Sequence, residues 1–326
     1  MPRFSVVLLI FLLFFCSGLY GQPWIQTDKN LSIISQQELR THVRILADTI
    51  VRGRASGTPG ALMSVQYLIS CFQKFGLQPF NGRYWTQSFA IDSGLIGRNV
   101  IALLKGSGYS DEYLIISAHF DHIGTINQTV YPGADNNASG VALLLQLAEV
   151  FGKRAQKGDR PIRNILFVAY DAKEFDMAGS NHFAKTLSIP ARKIIANINI
   201  DQIGCVLEPP HRNPEYLLAL GAEQLTTDLR MIIDVSNRYY GIGLDVDYSF
   251  YGSPRFAELF FQLGDQIHLA HKKIPSVLFT SGIHAYTNKP TDLPALLNYA
   301  VLEKRTQLIY LVANDLATRK TWLRGR

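Results

Sequence analysis

Tyr113-Leu114-Ile115-Ile116-Ser117-Ala118-His119-Phe120-Asp121-His122 is an apolar run of strand length that ends abruptly in histidines and an aspartate. Its Leu and Ile residues form a short continuous hydrophobic stretch, the pattern of a strand covered on both faces. The pattern repeats outward from this point. Asn99–Leu104, Ile165–Tyr170, Asn197–Ile200 and Ser276–Phe279 read as further short strands rich in Ile, Val, Phe and Tyr. Helical patterns lie around and between them, at Gln36–Ile50, Ala138–Phe151, Ser180–Leu187, Thr226–Tyr239 and Asp292–Leu316. One more helix carries Val65, Leu68, Phe72 and Phe75 at 3, 4, 3 spacing, with Gly76 as its C-terminal cap. Strands alternating with helices predict an α/β fold with a largely parallel sheet. The helix from Ala138 is apolar nearly all round, so it should be buried. No linker interrupts the series, and one domain is expected.

Composition excludes several classes. Hydrophobic residues make up 47% and charged residues 18% of the 326 residues, which rules out disorder. A net charge of +6, clustered only at Arg319, Lys320, Arg324 and Arg326, gives no nucleic-acid footprint. Three cysteines without zinc-finger spacing exclude a disulfide scaffold. The chain opens with Arg3, an unbroken apolar run from Val6 to Cys16, and then Ser17, Gly18 and Gly21. That run is too short for a membrane-spanning helix, which needs about 20 residues, and suits a cleaved secretory leader. The expected organisation is a signal peptide over 1–21 and one domain over 22–326. The mature protein would then be secreted or periplasmic, with no membrane attachment.

Residues able to do chemistry recur just after the strands. His119, Asp121 and His122 follow the first, Asp171, Lys173 and Glu174 another, and Asp201 a third. Asp135-Asn136-Asn137 opens the buried helix, and His284, Asn288 and Asp292 follow Ser276–Phe279. Singly, each is an ordinary cap or turn residue. Together they fall where parallel sheets bind ligands, at the carboxyl ends of strands. Histidine with carboxylate is a donor set that zinc accepts.

The same residues carry a resemblance. Ala118-His119-Phe120-Asp121-His122-Ile123-Gly124 is similar to the His-x-Asp motif of the zinc exopeptidase family of aminopeptidase Y, bacterial leucyl aminopeptidases, glutaminyl cyclases and the transferrin receptor. Gly133-Ala134-Asp135-Asn136-Asn137-Ala138-Ser139-Gly140 resembles that family's Gly-Ala-Asp-Asp-Asn-Ala-Ser-Gly loop. Asn197–Gly204, Gly53-Arg54 with Gly57-Thr58-Pro59-Gly60, and Lys273–Val277 resemble further family segments in the same order. The resemblance implies a three-layer sandwich, a mixed and mostly parallel sheet with helices on both faces. It also implies a pair of zinc ions about 3.5 Å apart that cleaves N-terminal residues from peptides. His119, Asp135 and Asp201 would hold one zinc, with Asp135 bridging to a second held by Glu174 and a histidine of the last loop. Asp121 would orient His119 from behind. A glutamate just before Glu174 would act as general base.

Two of those positions depart from the pattern. The general-base position is Lys173, and the last-loop ligand position is Asn288. An ammonium repels a dication, and a neutral amide oxygen suits calcium better than zinc. The expectation is therefore Zn2+ at one site, with the second site degraded, and impaired hydrolysis. Lys173 would stand near the vacated position, and a lysine beside zinc should lose its proton more easily, which would let it serve as base. His122, His182 or His284 would be the substitutes for the lost ligand. The alternative is a catalytically inactive homologue that binds peptides, protein N-termini or a protein partner. Glutaminyl cyclisation is disfavoured, because that branch needs the same glutamate and histidine.

Overall fold

The structure is a computed structural model that describes residues 25–80, 82–91, 94–206 and 213–324. The leader over 1–21 lies outside the described residues. Strands are β1 (Gln78–Pro79), β2 (Thr86–Ala90), β3 (Ile96–Leu104), β4 (Tyr113–His119), β5 (Gly124–Ile126), β6 (Thr129–Tyr131), β7 (Asn164–Tyr170), β8 (Ile194–Ile200), β9 (Tyr216–Leu220), β10 (Asp245–Asp247) and β11 (Ser276–Thr280). Helices are α1 (Gln36–Leu46), α2 (Pro59–Lys74), α3 (Gly140–Gln156), α4 (Ala178–Thr186), α5 (Asp228–Tyr239), α6 (Pro254–Gln262), α7 (Ile267–Ala270) and α8 (Tyr299–Thr318).

Alternation along β4 and β7 explains the layering. Leu114, Ile116 and Ala118 of β4 face the larger apolar cluster with Ile165, Phe167 and Ala169 of β7. Ile115, Leu166, Val168 and Tyr170 face the smaller one. Side chains of α1, α2, α3, α5 and α8 fill the larger cluster, and those of α4 and α7 the smaller. Helices on both faces of one sheet make the three-layer α/β sandwich. Each fully buried Leu, Ile or Phe here contributes about 1.5–3 kcal/mol. α3 is buried nearly all round, including Val141, Leu143, Leu144, Leu145, Leu147 and Phe151.

The sheet runs β1-β3-β7-β4-β8-β11-β9-β10, with β2 paired to β3. Its centre, β7-β4-β8-β11, is parallel throughout. Pairs β3–β7 and β9–β11 are antiparallel, so the sheet is mixed. His119 of β4 lies opposite Tyr170 of β7, and Ile200 of β8 opposite Phe279 of β11. Parallel register therefore delivers His119, Asp171, Asp201 and the loop after Thr280 to one edge of the sheet.

Local chemistry sets the boundaries. Gly76, at φ +78, ends α2 as expected, and the Leu77 amide donates to the Phe72 carbonyl. α3 begins at Gly140 rather than Ala138, because Asn136 and Asn137 are non-helical inside the preceding turn. α8 begins at Tyr299, capped by Asn298, and not at Asp292, whose segment is used to brace the site. β9, β10 and α6 have no counterpart in the sequence reading. Among the described residues, no helix is long and apolar enough to cross a membrane.

His42 is a buried test of this packing. It is 5% exposed on α1, with Nδ1 at 2.6 Å from the Tyr67 hydroxyl of α2. Burial outweighs the pull of Glu149 and lowers its pKa from 6.5 to about 4. The unfolded chain therefore binds the extra proton first as pH falls. The His42 contribution is fully present above pH 6.5 and is lost progressively down to pH 4, by at most about 3 kcal/mol. Urea unfolding of the natural protein and of His42→Leu should diverge across that window, with the variant showing the smaller loss of stability on acidification.

Candidate functional site

The site is built around a buried arginine. Gly53, at φ +71, lets the chain turn beneath β5 and β6, where a Cβ would meet the Tyr131 and Gly124 carbonyl oxygens. Arg54 then enters the interior with no exposed surface. Its guanidinium donates to the carbonyls of Phe120 at 2.7 Å, Pro132 at 2.6 Å and Gly133 at 3.0 Å, and also to Leu46. One side chain thus pins the loop after β4 and the turn before α3. Burial lowers its pKa to about 10, with Asp121 and Asp292 opposing, so it stays charged at neutral pH.

His119 ends β4 with Nε2 at 3.3 Å from Asp201 Oδ1 and Nδ1 at 3.6 Å from Asp121 Oδ1. Burial would lower its pKa, but Asp201 and Asp121 outweigh that and raise it to about 10. Asp121 also accepts the Glu174 amide at 3.2 Å, and Ser56 bridges it to Asp171. Glu174 is exposed, with Oε1 at 3.4 Å from His122 Nδ1. Burial lowers the His122 pKa, so this ring is neutral.

Asp135 is not where the sequence expectation put it. Its Oδ1 accepts the amides of Gly204 at 2.6 Å and Cys205 at 3.2 Å and the Ser139 hydroxyl at 2.9 Å. Its Oδ2 accepts His284 Nε2 at 3.0 Å. A Cβ at position 204 would stand 2.9 Å from that carboxylate, so the close approach requires glycine. The carboxylate expected to bridge two metals is a structural brace: both of its oxygens are engaged by these partners, and it is not among the residues that line the pocket described next. The side chain facing the pocket is the next one, Asn136, whose Nδ2 donates to Asn288 Oδ1 at 2.7 Å. Asp292 accepts the amides of Asp135 and Asn136 and fixes the turn that sorts these two residues.

The pocket at this edge has a volume of about 210 Å³. Asn136, Lys173, Glu174, Asp201 and Asn288 form its polar part, and Phe260, Leu263, Leu278 and Ile283 an apolar wall. Sequence reasoning missed Asn136 and the whole apolar wall. A larger hollow of about 560 Å³ runs along α5 and includes none of the strand-end residues. Lys173 Nζ donates to the Leu263 carbonyl at 2.5 Å. Burial alone would lower its pKa, but Asp201, Asp265, Glu174 and Asp121 outweigh it and hold it above the usual lysine range. With no metal ion beside it, Lys173 in this pocket is a cation.

Of the proposed substitute ligands, His122 reaches Glu174, His182 stacks on Phe89, and His284 is committed to Asp135. Among the described residues, one group of three or more metal-type donors has its ligand atoms within 4.8 Å of one another, Asp135, Cys205 and His284. It is not poised for a metal, since His284 Nδ1 accepts the Tyr286 amide and its Nε2 carries the proton given to Asp135. A ligating ring presents the opposite arrangement, a bare nitrogen to the metal and an N–H to its second partner.

A mixed sheet with an acid- and histidine-bearing edge over its parallel centre defines an α/β exopeptidase-type fold. Residues 99–312 match Peptidase family M28, and the chain belongs to that family. Over 109 residues it is 34% identical to a probable zinc metalloprotease of Pyrenophora teres f. teres, covering 32% of this chain and 22% of that protein. Over 104 residues it is 31% identical to human transferrin receptor protein 2, covering 32% of this chain and 12% of the receptor. These matches span under a quarter of each relative. LapB from Legionella pneumophila has a similar structure, with TM-score 0.70 and 18% identity over 91% of this chain and 77% of that one. Porphyromonas gingivalis glutaminyl cyclase gives TM-score 0.67 and 17% identity over 87% and 99%.

Zinc is the metal of the family's named zinc members, and the donor set here does not fit a zinc pair. His119 and Asp201 are spaced as two ligands of one tetrahedral zinc would be, at about 3.3 Å. A third protein ligand is missing: the Asp135 oxygens are engaged by Gly204, Cys205, Ser139 and His284, Asn136 and Asn288 are paired neutral amides, and among the described residues Glu174 makes no close donor group with His119 and Asp201.

Two substitutions separate the adjacent residues. Asp135→Ala should cost about 3 kcal/mol or more in urea unfolding, since Gly204, Cys205 and His284 lose their acceptor, whereas Asn136→Ala should stay within about 1 kcal/mol. Arg54→Lys, which cannot serve four carbonyls at once, should cost at least about 3 kcal/mol by the same measurement.

Proposed function

We propose that this chain is an exported member of the family that takes peptide or protein N-termini into the pocket at the sheet edge and releases them uncleaved. The observation that carries this reading is the polar lining of the pocket. Where hydrolysis needs a bridging carboxylate, a general base and a histidine ligand, the pocket presents Asn136, Lys173 and Asn288. Absence of the general base alone costs about 10² to 10⁴ in rate. Among the described residues Glu174 makes no close donor group with His119 and Asp201, so the pocket also lacks the three-ligand set that lowers the pKa of a zinc-bound water.

Binding is supported by what remains. Asp201 and Glu174 supply carboxylates for an α-ammonium, and Phe260, Leu263, Leu278 and Ile283 suit an apolar first side chain. The leader sequence supports export to the periplasm or the exterior.

Hydrolysis of leucyl anilide and binding of a leucine-initiated peptide test the proposal together. The natural protein should bind the peptide and leave the anilide intact. The triple variant Asn136→Asp, Lys173→Glu, Asn288→His should gain zinc and at least about 10²-fold in turnover. Turnover by the natural protein comparable to that of the triple variant would refute the proposal, and so would failure of the natural protein to bind the peptide.

A further inference from the structure

Three segments far apart in the sequence meet at the end of the sheet opposite the candidate pocket. The short turn Ala191–Lys193 leads into β8, and a turn carrying Lys272 and Lys273 joins α7 to β11. Parallel pairing of β8 with β11 sets these turns at one edge, a strand length of roughly 20 Å from Asp201. Trp322, beyond α8, completes a hollow of about 450 Å³ lined by Ala191, Arg192, Lys272, Lys273 and Trp322. An indole and the aliphatic stems of long cations supply apolar walls, and the charged heads supply the rim.

These walls are held in place. The Arg163 guanidinium lies 5.7 Å from the centre of the Trp322 ring, and Arg163 is fixed by Glu112 at 2.7 Å and the Leu316 carbonyl at 3.0 Å. Leu323, next to the indole, is buried, and the Arg324 amide donates to Asp228 at 2.7 Å. The Lys272 and Lys273 amides donate to the Leu269 and Ala270 carbonyls at 3.0 and 2.8 Å, which closes their turn. Carboxylates close to these segments are already used: Asp111 by Lys193, Glu112 by Arg163 and Asp315 by Arg319. Lys272 and Lys273 are both exposed and have no carboxylate partner among the described residues.

We propose that this hollow docks an acidic segment of a partner protein, with one aromatic or apolar side chain against Trp322 and flanking carboxylates on Arg192, Lys272 and Lys273. Its volume falls in the range of about 300–1,000 Å³ typical of ligand-enclosing pockets, and a concave site suits a protruding side chain better than a flat bilayer. Cations around an apolar centre select an anionic partner and speed its arrival. Walls fixed beforehand spare the complex part of the cost of ordering them. In the sequence only the tail cations cluster; folding brings Arg192, Lys272 and Lys273 to Trp322. The proposal does not rest on the sheet-edge pocket or on its functional reading.

The test titrates the whole protein with the pentapeptide Asp-Glu-Phe-Asp-Glu, acetylated and amidated so that it offers no α-ammonium to the sheet-edge pocket. Binding should have a Kd of about 1 mM or tighter at low ionic strength and weaken at least about tenfold in concentrated salt, which screens exposed charges. The indole N–H signal of Trp322 should shift in the NMR spectrum as the peptide is added. Replacing the peptide's Phe by Ala should weaken binding at least about tenfold, through the lost apolar anchor. The double variant Lys272→Glu, Lys273→Glu should lose binding to the same degree while melting at the natural protein's temperature, because both side chains are exposed. No binding by the natural protein, undiminished binding by the double variant or by the Ala peptide, or a titration that leaves Trp322 unmoved would overturn the proposal. Sedimentation of the protein with phosphatidylglycerol vesicles without any peptide binding would overturn it in favour of a lipid surface.

Discussion

The buried guanidinium of Arg54 is the constraint on which the rest of the site depends. Four backbone carbonyls converge on it, three from the loops after β4 and before α3 and one from Leu46, the last residue of α1. Through Phe120 it fixes the loop that carries Asp121 and His122. Through Pro132 and Gly133 it fixes the turn that decides which way Asp135 and Asn136 point. A single planar donor of fixed geometry can do this, and a flexible ammonium cannot. Its charge is carried in the interior by Asp121 and Asp292, the same residues that orient His119 and the Asp135 turn. Scaffold and site are therefore one hydrogen-bonded unit, which accounts for the persistence of the family's loop geometry around a pocket whose chemistry has changed.

The pocket is consistent with a site adjusted to do without metal. Two neutral amides pair with each other where a bridging anion and a ligand would stand. His119 lies between two carboxylates, and Lys173 lines the same pocket as Glu174 and Asp201. The changes at 136 and 173 remove negative charge or add positive charge and so lower the demand for a dication, while the change at 288 removes a histidine ligand. A single such change would leave uncompensated charge at a buried edge.

Much of this was legible in the sequence. The short continuous apolar runs ending at Ser117, Tyr170, Ile200 and Phe279 placed the strands, and parallel register then placed His119, Asp121, Glu174, Asp201, Lys173 and Asn288 at one edge. Asp135 was misassigned for a physical reason. Asn136 and Asn137 sit in a non-helical turn, so neighbouring side chains point to opposite sides, and a shift of one residue exchanges a brace for a pocket residue. The signal was present in the family's loop, which carries two successive acids where this chain keeps only the first. The Gly53-Arg54 pair was visible as a motif, but four carbonyl contacts at separations of 8 to 79 residues leave no local pattern. The apolar wall was missed because α6 is short and half-exposed, with only Ala257 and Phe261 buried.

Anomalous diffraction at the zinc edge, from crystals of the natural protein grown with excess zinc, tests the central claim most directly. The account predicts no ordered pair of peaks between His119, Asp201 and Glu174. Two peaks about 3.5 Å apart at that position, each bound by this chain's side chains, would contradict it.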